Sequence, residues 1–154
     1  MSVIDKDTGW KDLKKRLKEF KETGIKVGIQ NNAGLNDEGI SIAEYGTANE
    51  YGTKQSGGNI PPRPFIRGAA DKHKNWQTPI EQAYYDVIEG KKAPLAALAL
   101  VGRVAVDDIK AYITDLKIPK NADSTKKKKK SDNPLIDTGL MRNSIRYQFT
   151  RLNK

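Results

Sequence analysis

Ile25-Lys26-Val27-Gly28-Ile29 is the stretch on which the reading of this chain turns. Its apolar side chains recur at every second position, which puts them on one face of a strand and leaves the other face to solvent. The same period returns near the far end, where Ile145, Tyr147 and Phe149 alternate with Arg146 and Gln148. Between the two lie patterns of helical spacing. A chain that runs helix, strands, helices and a last strand is expected to be α+β, with a small, mostly antiparallel sheet packed with helices on one face.

Upstream of the first strand, Trp10, Leu13, Leu17 and Phe20 fall on one helical face, and Lys11, Lys14, Lys15, Lys18 and Lys21 lie on the others. Asp7 or Thr8 is placed to cap this helix and Gly24 to end it in a left-handed conformation. Downstream, Gln30 to Gly39 is rich in Asn, Asp and Gly and reads as a loop. Ile40 and Ile42 alternate, so a second strand is expected from Ile40 to about Tyr45. Ala43-Glu44-Tyr45-Gly46-Thr47 is then echoed by Asn49-Glu50-Tyr51-Gly52-Thr53, too briefly for a structural repeat. The echo reads as a strand ending in a turn or short helix.

Lys54 to Asn59 is a Gly/Ser loop. Pro61-Pro62-Arg63-Pro64 forces an extended approach, and Pro64 suits the first turn of a helix starting near Phe65. Thr78-Pro79-Ile80-Glu81 has the form of a capping box and is expected to split or kink the helical stretch that follows. Pro94 opens another helix with a core face of Leu95, Leu98, Gly102, Ala105, Ile109, Tyr112, Ile113 and Leu116. Gly102 in that face calls for close approach of another backbone. The chain divides into a single domain of four parts: residues 1–24, an amino-terminal helix; 25–116, strands then helices; 117–133, a Lys-rich loop or arm; and 134–154, a short helix capped by Asp137-Thr138-Gly139 and a closing strand.

Composition narrows the function. The 154 residues are 36% hydrophobic and 31% charged, enough for a modest core. The absence of cysteine excludes disulfides, thiolate metal sites and thiol nucleophiles. No apolar run approaches the roughly 20 residues of a membrane helix, and the first residues lack a signal-peptide pattern. A soluble protein made in a cytoplasm is expected. The net charge of +9 is uneven: from Lys117 to Lys154 there are eleven Lys/Arg against three Asp/Glu, giving +8, while the body is near neutral.

Chemistry-bearing residues are few. Asp137-Thr138-Gly139 has the aspartic-protease triplet, but only 17 residues follow Asp137 and no second copy exists to share a proton with it. A helix cap is the simpler reading. His73, the sole histidine, sits between Lys72 and Lys74 and builds no triad or metal site by itself. Glu44 and Glu50 form a pair only in principle, and hydrogen-bonded loop carboxylates are the simpler reading. No catalytic, cofactor or metal site is expected, and so no enzyme. The five lysines Lys126, Lys127, Lys128, Lys129 and Lys130 read as a solvated linker, as a contact for an acidic protein surface, or as a contact for DNA phosphates. No aromatics interleave them for base stacking, so sequence-specific recognition is not expected. Tyr45, Tyr51 and Phe65 flank the proline segment and belong either to the core or to a subunit contact.

Three segments carry a resemblance. Ile42-Ala43-Glu44-Tyr45-Gly46 leads to Asn49-Glu50-Tyr51-Gly52-Thr53; Ile60-Pro61-Pro62-Arg63-Pro64-Phe65-Ile66-Arg67 follows; Pro134-Leu135-Ile136-Asp137-Thr138-Gly139-Leu140-Met141-Arg142-Asn143-Ser144-Ile145 comes last. In this order they resemble the tail-completion and virion-morphogenesis proteins of tailed bacteriophages, over roughly Ile25 to Phe149. The resemblance implies a structural protein of the virion neck, at the head–tail junction: a homo-oligomeric ring, six-fold or twelve-fold, acting as tail terminator, tail-completion or collar protein. Its partners would be further copies of itself and the adjoining portal-side connector and tail proteins, with genomic DNA passing through and no membrane involved. The stiff segment carrying Pro61, Pro62, Arg63, Phe65 and Arg67, together with Tyr51, is the expected subunit or partner contact, or else an intramolecular lock at the helix start. The Lys-rich insertion before Pro134 is longer and more basic than the family pattern. The alternative function is a basic module that contacts the DNA backbone through that loop.

Overall fold

The structure, a computed structural model, describes residues 9–55, 58–72, 74–129 and 132–152. Its elements in chain order are α1 (Trp10–Glu22), β1 (Thr23–Ile29), α2 (Ile42–Tyr51), β2 (Thr53–Gln55), β3 (Gly58–Ile60), α3 (Phe65–Asp71), α4 (Lys74–Ile88), α5 (Pro94–Asp115), α6 (Asp123–Lys129), α7 (Leu140–Asn143) and β4 (Ile145–Arg151). The fold is α+β. Strand β1 pairs antiparallel with β4, Thr23 opposite Arg151 and Ile29 opposite Ile145. A separate hairpin joins β2 to β3.

In the main sheet Ile25 faces Phe149, Val27 faces Tyr147 and Ile29 faces Ile145. Side chains of directly opposed residues share a face, so all six lie together, and β1 and β4 both pack against α5. Gly102 of α5 lies beneath Tyr147: a Cβ there would sit 2.6 Å from its Cγ. The close approach called for by that glycine is therefore made by an aromatic ring, not by a backbone.

Beyond the strand ends, the Leu152 N–H donates to the Glu22 carbonyl at 2.9 Å. That bond fixes the alternation of the antiparallel ladder. Tyr147 and Phe149 then point their own N–H and C=O groups away from β1, along the outer edge of β4.

Helix α5, 22 residues and about 33 Å long by its rise per residue, serves two cores. Its first half buries Ala97 and Val101 with Ala83 and Val87 of α4, and Phe20 and Ile25 close this cluster. Its second half buries Val106, Ile109 and Ile113 with Ile42, Phe65, Ala69, Leu135, Met141 and Ile145. The expected stripe is thus rotated at its start, where Ala97 is buried and Leu95 is 43% exposed.

Several other expectations are corrected. No strand runs from Ile40 to Tyr45: only Ser41 bridges, to Leu35, and α2 begins at Ile42. The two alternating isoleucines are outweighed by Ile42, Gly46 and Asn49, whose helical spacing buries all three. A Cβ on Gly46 would run into Ile29 Cδ1, so the Ile29 side chain packs directly on α2 at that residue. Gly24 does not end α1. The helix passes directly into β1 through Thr23, whose N–H bonds Phe20, and Gly24 instead makes room for Leu152 within the sheet. Asp7 and Thr8 lie outside the described residues.

The break after α3 comes at Lys72 and not at Thr78, and Pro79 sits inside α4. Residues 117–133 include the short helix α6. Before α7, Asp137 is exposed, Gly139 is left-handed at φ 82°, and Thr138 Oγ1 accepts the Leu140 N–H at 3.4 Å.

Candidate functional site

The proline segment is anchored from two directions. Helix α3 starts after Pro64, a residue with no side-chain acceptor for the free N–H groups of a first helical turn. Glu50, at the end of α2, supplies one. Its Oε2 accepts the Ile66 N–H at 2.9 Å and its Oε1 accepts the Arg67 N–H at 3.1 Å. A carboxylate there also complements the positive end of the helix dipole. Arg67 completes the arrangement: Nε donates to Glu50 Oε1 and Nη2 to the Glu50 carbonyl, both at 2.9 Å. Its guanidinium lies 4.7 Å over the Tyr51 ring, a cation–π contact.

Gly52 turns the chain out of α2 with φ 75°, and a Cβ there would meet the Ile60 carbonyl at 2.8 Å and the Pro62 nitrogen at 2.9 Å. The hairpin of β2 and β3 therefore returns tightly against the end of α2. The Arg63 N–H then donates to the Asn49 carbonyl at 2.7 Å.

Arg63 turns inward and is 5% exposed. Its Nε donates to the Pro119 carbonyl at 2.9 Å, and its Nη2 to the Lys120 carbonyl at 3.3 Å and Asn121 Oδ1 at 3.0 Å. Nη1 reaches Asn49 Oδ1 at 3.4 Å. Every one of these acceptors is neutral. Burial pushes the Arg63 guanidinium below its ordinary pKa, opposed by the nearby Tyr45 hydroxyl.

The residues expected to form a partner contact thus divide. Arg63 and Phe65, the latter fully buried, are committed within the subunit. Tyr51 (65% exposed), Pro62 and the outer part of Arg67 face solvent, and Pro61 is half-buried. Arg63 thereby acts as the intramolecular lock, tying the proline segment to the start of the basic stretch.

Within that stretch, Lys126 pairs with Asp123 at 3.1 Å, Lys127 is exposed, and Lys129 Nζ lies 3.4 Å from the Tyr45 hydroxyl. The Lys128 side chain, Lys130 and His73 lie outside the described residues. Glu44 and Glu50 are six positions apart on α2, hence on different helix faces; Glu44 is exposed and Glu50 buried, so they form no carboxylate pair.

Asn49 and Asn121 were not singled out by the sequence. For Asn49 a signal existed: a polar residue in the buried stripe of α2 needs a partner. Comparison with family models, curated proteins and solved structures finds no match to this chain.

Proposed function

We propose that this chain is a structural subunit of the neck of a tailed-phage virion. It assembles with copies of itself into a ring at the head–tail junction and performs no catalysis. The observation that carries the reading is the convergence of the three segments behind the resemblance. Ile42 of the first, Phe65 of the second, and Leu135, Met141 and Ile145 of the third share one buried core. Segments separated in sequence thus contribute to one core, which supports reading them together.

Two further features support self-assembly. Among the described residues the main sheet has two strands, and the outer edge of β4 keeps backbone donors and acceptors available for another chain. The Tyr51–Arg67 stack is stiff, exposed and held from behind by Glu50, and an aromatic–Arg pair of that kind loses little freedom on docking. Head-to-tail contacts between two different surfaces of one subunit generate rings.

Sedimentation velocity and electron microscopy of the purified chain test the reading. Closed rings without added nucleic acid are the expected result, reduced to free subunits by Tyr51→Ala. A chain that stays monomeric at all concentrations and is absent from viral particles overturns it.

A further inference from the structure

A buried charge is ordinarily paired with an opposite one, because its lost hydration is otherwise not recovered. Arg63 is buried, and among the described residues none of its partners is a carboxylate. Asn121, 8% exposed, spends its Oδ1 on Arg63 and leaves its Nδ2 buried without a hydrogen-bond partner among the described residues. The amide nitrogen and oxygen of one asparagine share a carbon, so this vacant donor lies beside the guanidinium. Tyr45 stands one helical turn before Asn49, whose side chain bonds both the Tyr45 carbonyl and Arg63, and Lys129 Nζ approaches the Tyr45 hydroxyl at 3.4 Å. Two cations, a phenol and an unused amide donor are thus linked through Asn49 and Tyr45, supplied by α2, the proline segment, the 117–122 stretch and α6.

We propose that Arg63, Asn121, Tyr45 and Lys129 form a binding site for a phosphate group. The donor geometry selects that chemistry. A carboxylate is best gripped by the two-pronged edge of a guanidinium, but main-chain carbonyls and asparagine oxygens already occupy most of the Arg63 edges. What remains are single donors arriving from different elements. A tetrahedral oxyanion, with acceptors pointing in several directions, suits such a set. Arg63 and Lys129 supply two positive charges for a group bearing more than one negative charge. The phosphate is either a free inorganic ion or a phosphodiester of a nucleic-acid backbone, and the site stands whether or not the chain forms rings.

The test uses the full chain in chloride buffer, titrated with inorganic phosphate and followed by phosphorus NMR line broadening. Saturable binding is expected. Tyr45→Phe and Lys129→Ala each weaken it about tenfold, a loss of about 1.4 kcal/mol. Lys127→Ala, which changes the same net charge outside the site, has a less than about twofold effect. Asn121→Asp offers Arg63 an internal counter-charge: it abolishes phosphate binding and raises the thermal midpoint. A parallel titration with a short DNA duplex separates the sources. Equal weakening by Tyr45→Phe and Lys129→Ala assigns the site to backbone phosphates; a duplex indifferent to both, with inorganic phosphate still bound, assigns it to the free ion. Absence of saturable phosphate binding overturns the proposal. So does a Lys127→Ala effect as large as that of Lys129→Ala with Tyr45→Phe silent, since that is diffuse attraction to a basic surface.

Discussion

Glu50 and Arg63 meet the same proline segment and are buried almost equally, at 4% and 5% exposure, yet their surroundings differ in kind. Glu50 receives two backbone N–H groups and the Arg67 guanidinium, so its charge is answered within the chain. Arg63, among the described residues, donates only to carbonyl and amide oxygens. The difference teaches that burial alone does not show whether a polar network is complete. The sign and identity of the acceptors do. The Glu50 side is finished and serves to hold Tyr51 outward; the Arg63 side has spare positive charge.

The sharpest way to break this comparison is to remove each member in turn and follow urea unfolding. Glu50→Ala exposes two uncapped N–H groups in a buried setting and should cost about 2–3 kcal/mol. The ion pair with Arg67 adds little to that, because Arg67 is half in solvent. Arg63→Met should cost less, about 1–2 kcal/mol, since deleting an uncompensated charge also removes its desolvation penalty. If Arg63→Met proves the more damaging of the two, the contrast is wrong. Tyr51→Ala should change subunit stability least, by about 0.5–1 kcal/mol for the exposed cation–π contact, while still disrupting assembly.

Asp86 adds a pH arm. It is 5% exposed, and hydrogen bonds from Lys92 at 2.6 Å and Gln82 at 2.8 Å hold its carboxyl below the usual carboxylate range. A depressed folded-state pKa means its contribution is fully present above the unfolded carboxylate pKa. That contribution is lost as the pH falls through the lower folded value. Asp86→Asn should therefore flatten the acid limb of a stability–pH curve; an unchanged limb in thermal melts would count against the assignment.

Much of the fold was legible because period and punctuation agreed. The β1 and β4 alternation, Pro94 at the start of α5 and Pro64 ahead of α3 all reappear in the structure. Helix α2 was misread because two isoleucines two positions apart give too short a window to tell a strand from a helix. The Thr78 capping box failed because α4 was already under way at Lys74. The candidate site was less legible still. The Glu50 cap acts across 16 positions and the Arg63–Asn121 bond across 58, distances over which no local spacing rule speaks. Asn121 sits in a polar stretch where nothing distinguishes a buried asparagine from a solvated one.

The pairing of β1 with β4 has a consequence for how the chain comes off the ribosome. Ile145 follows its partner Ile29 by 116 positions, so the sheet cannot close until nearly all the elements between have been synthesised. Helices α4 and α5, adjacent in sequence and joined by a short turn, can pair while translation continues. The nascent chain must therefore carry an unzipped β1 and a bare flank of α5 until β4 emerges. Before then, the surface that β4 will cover is open to chaperones and to neighbouring nascent chains.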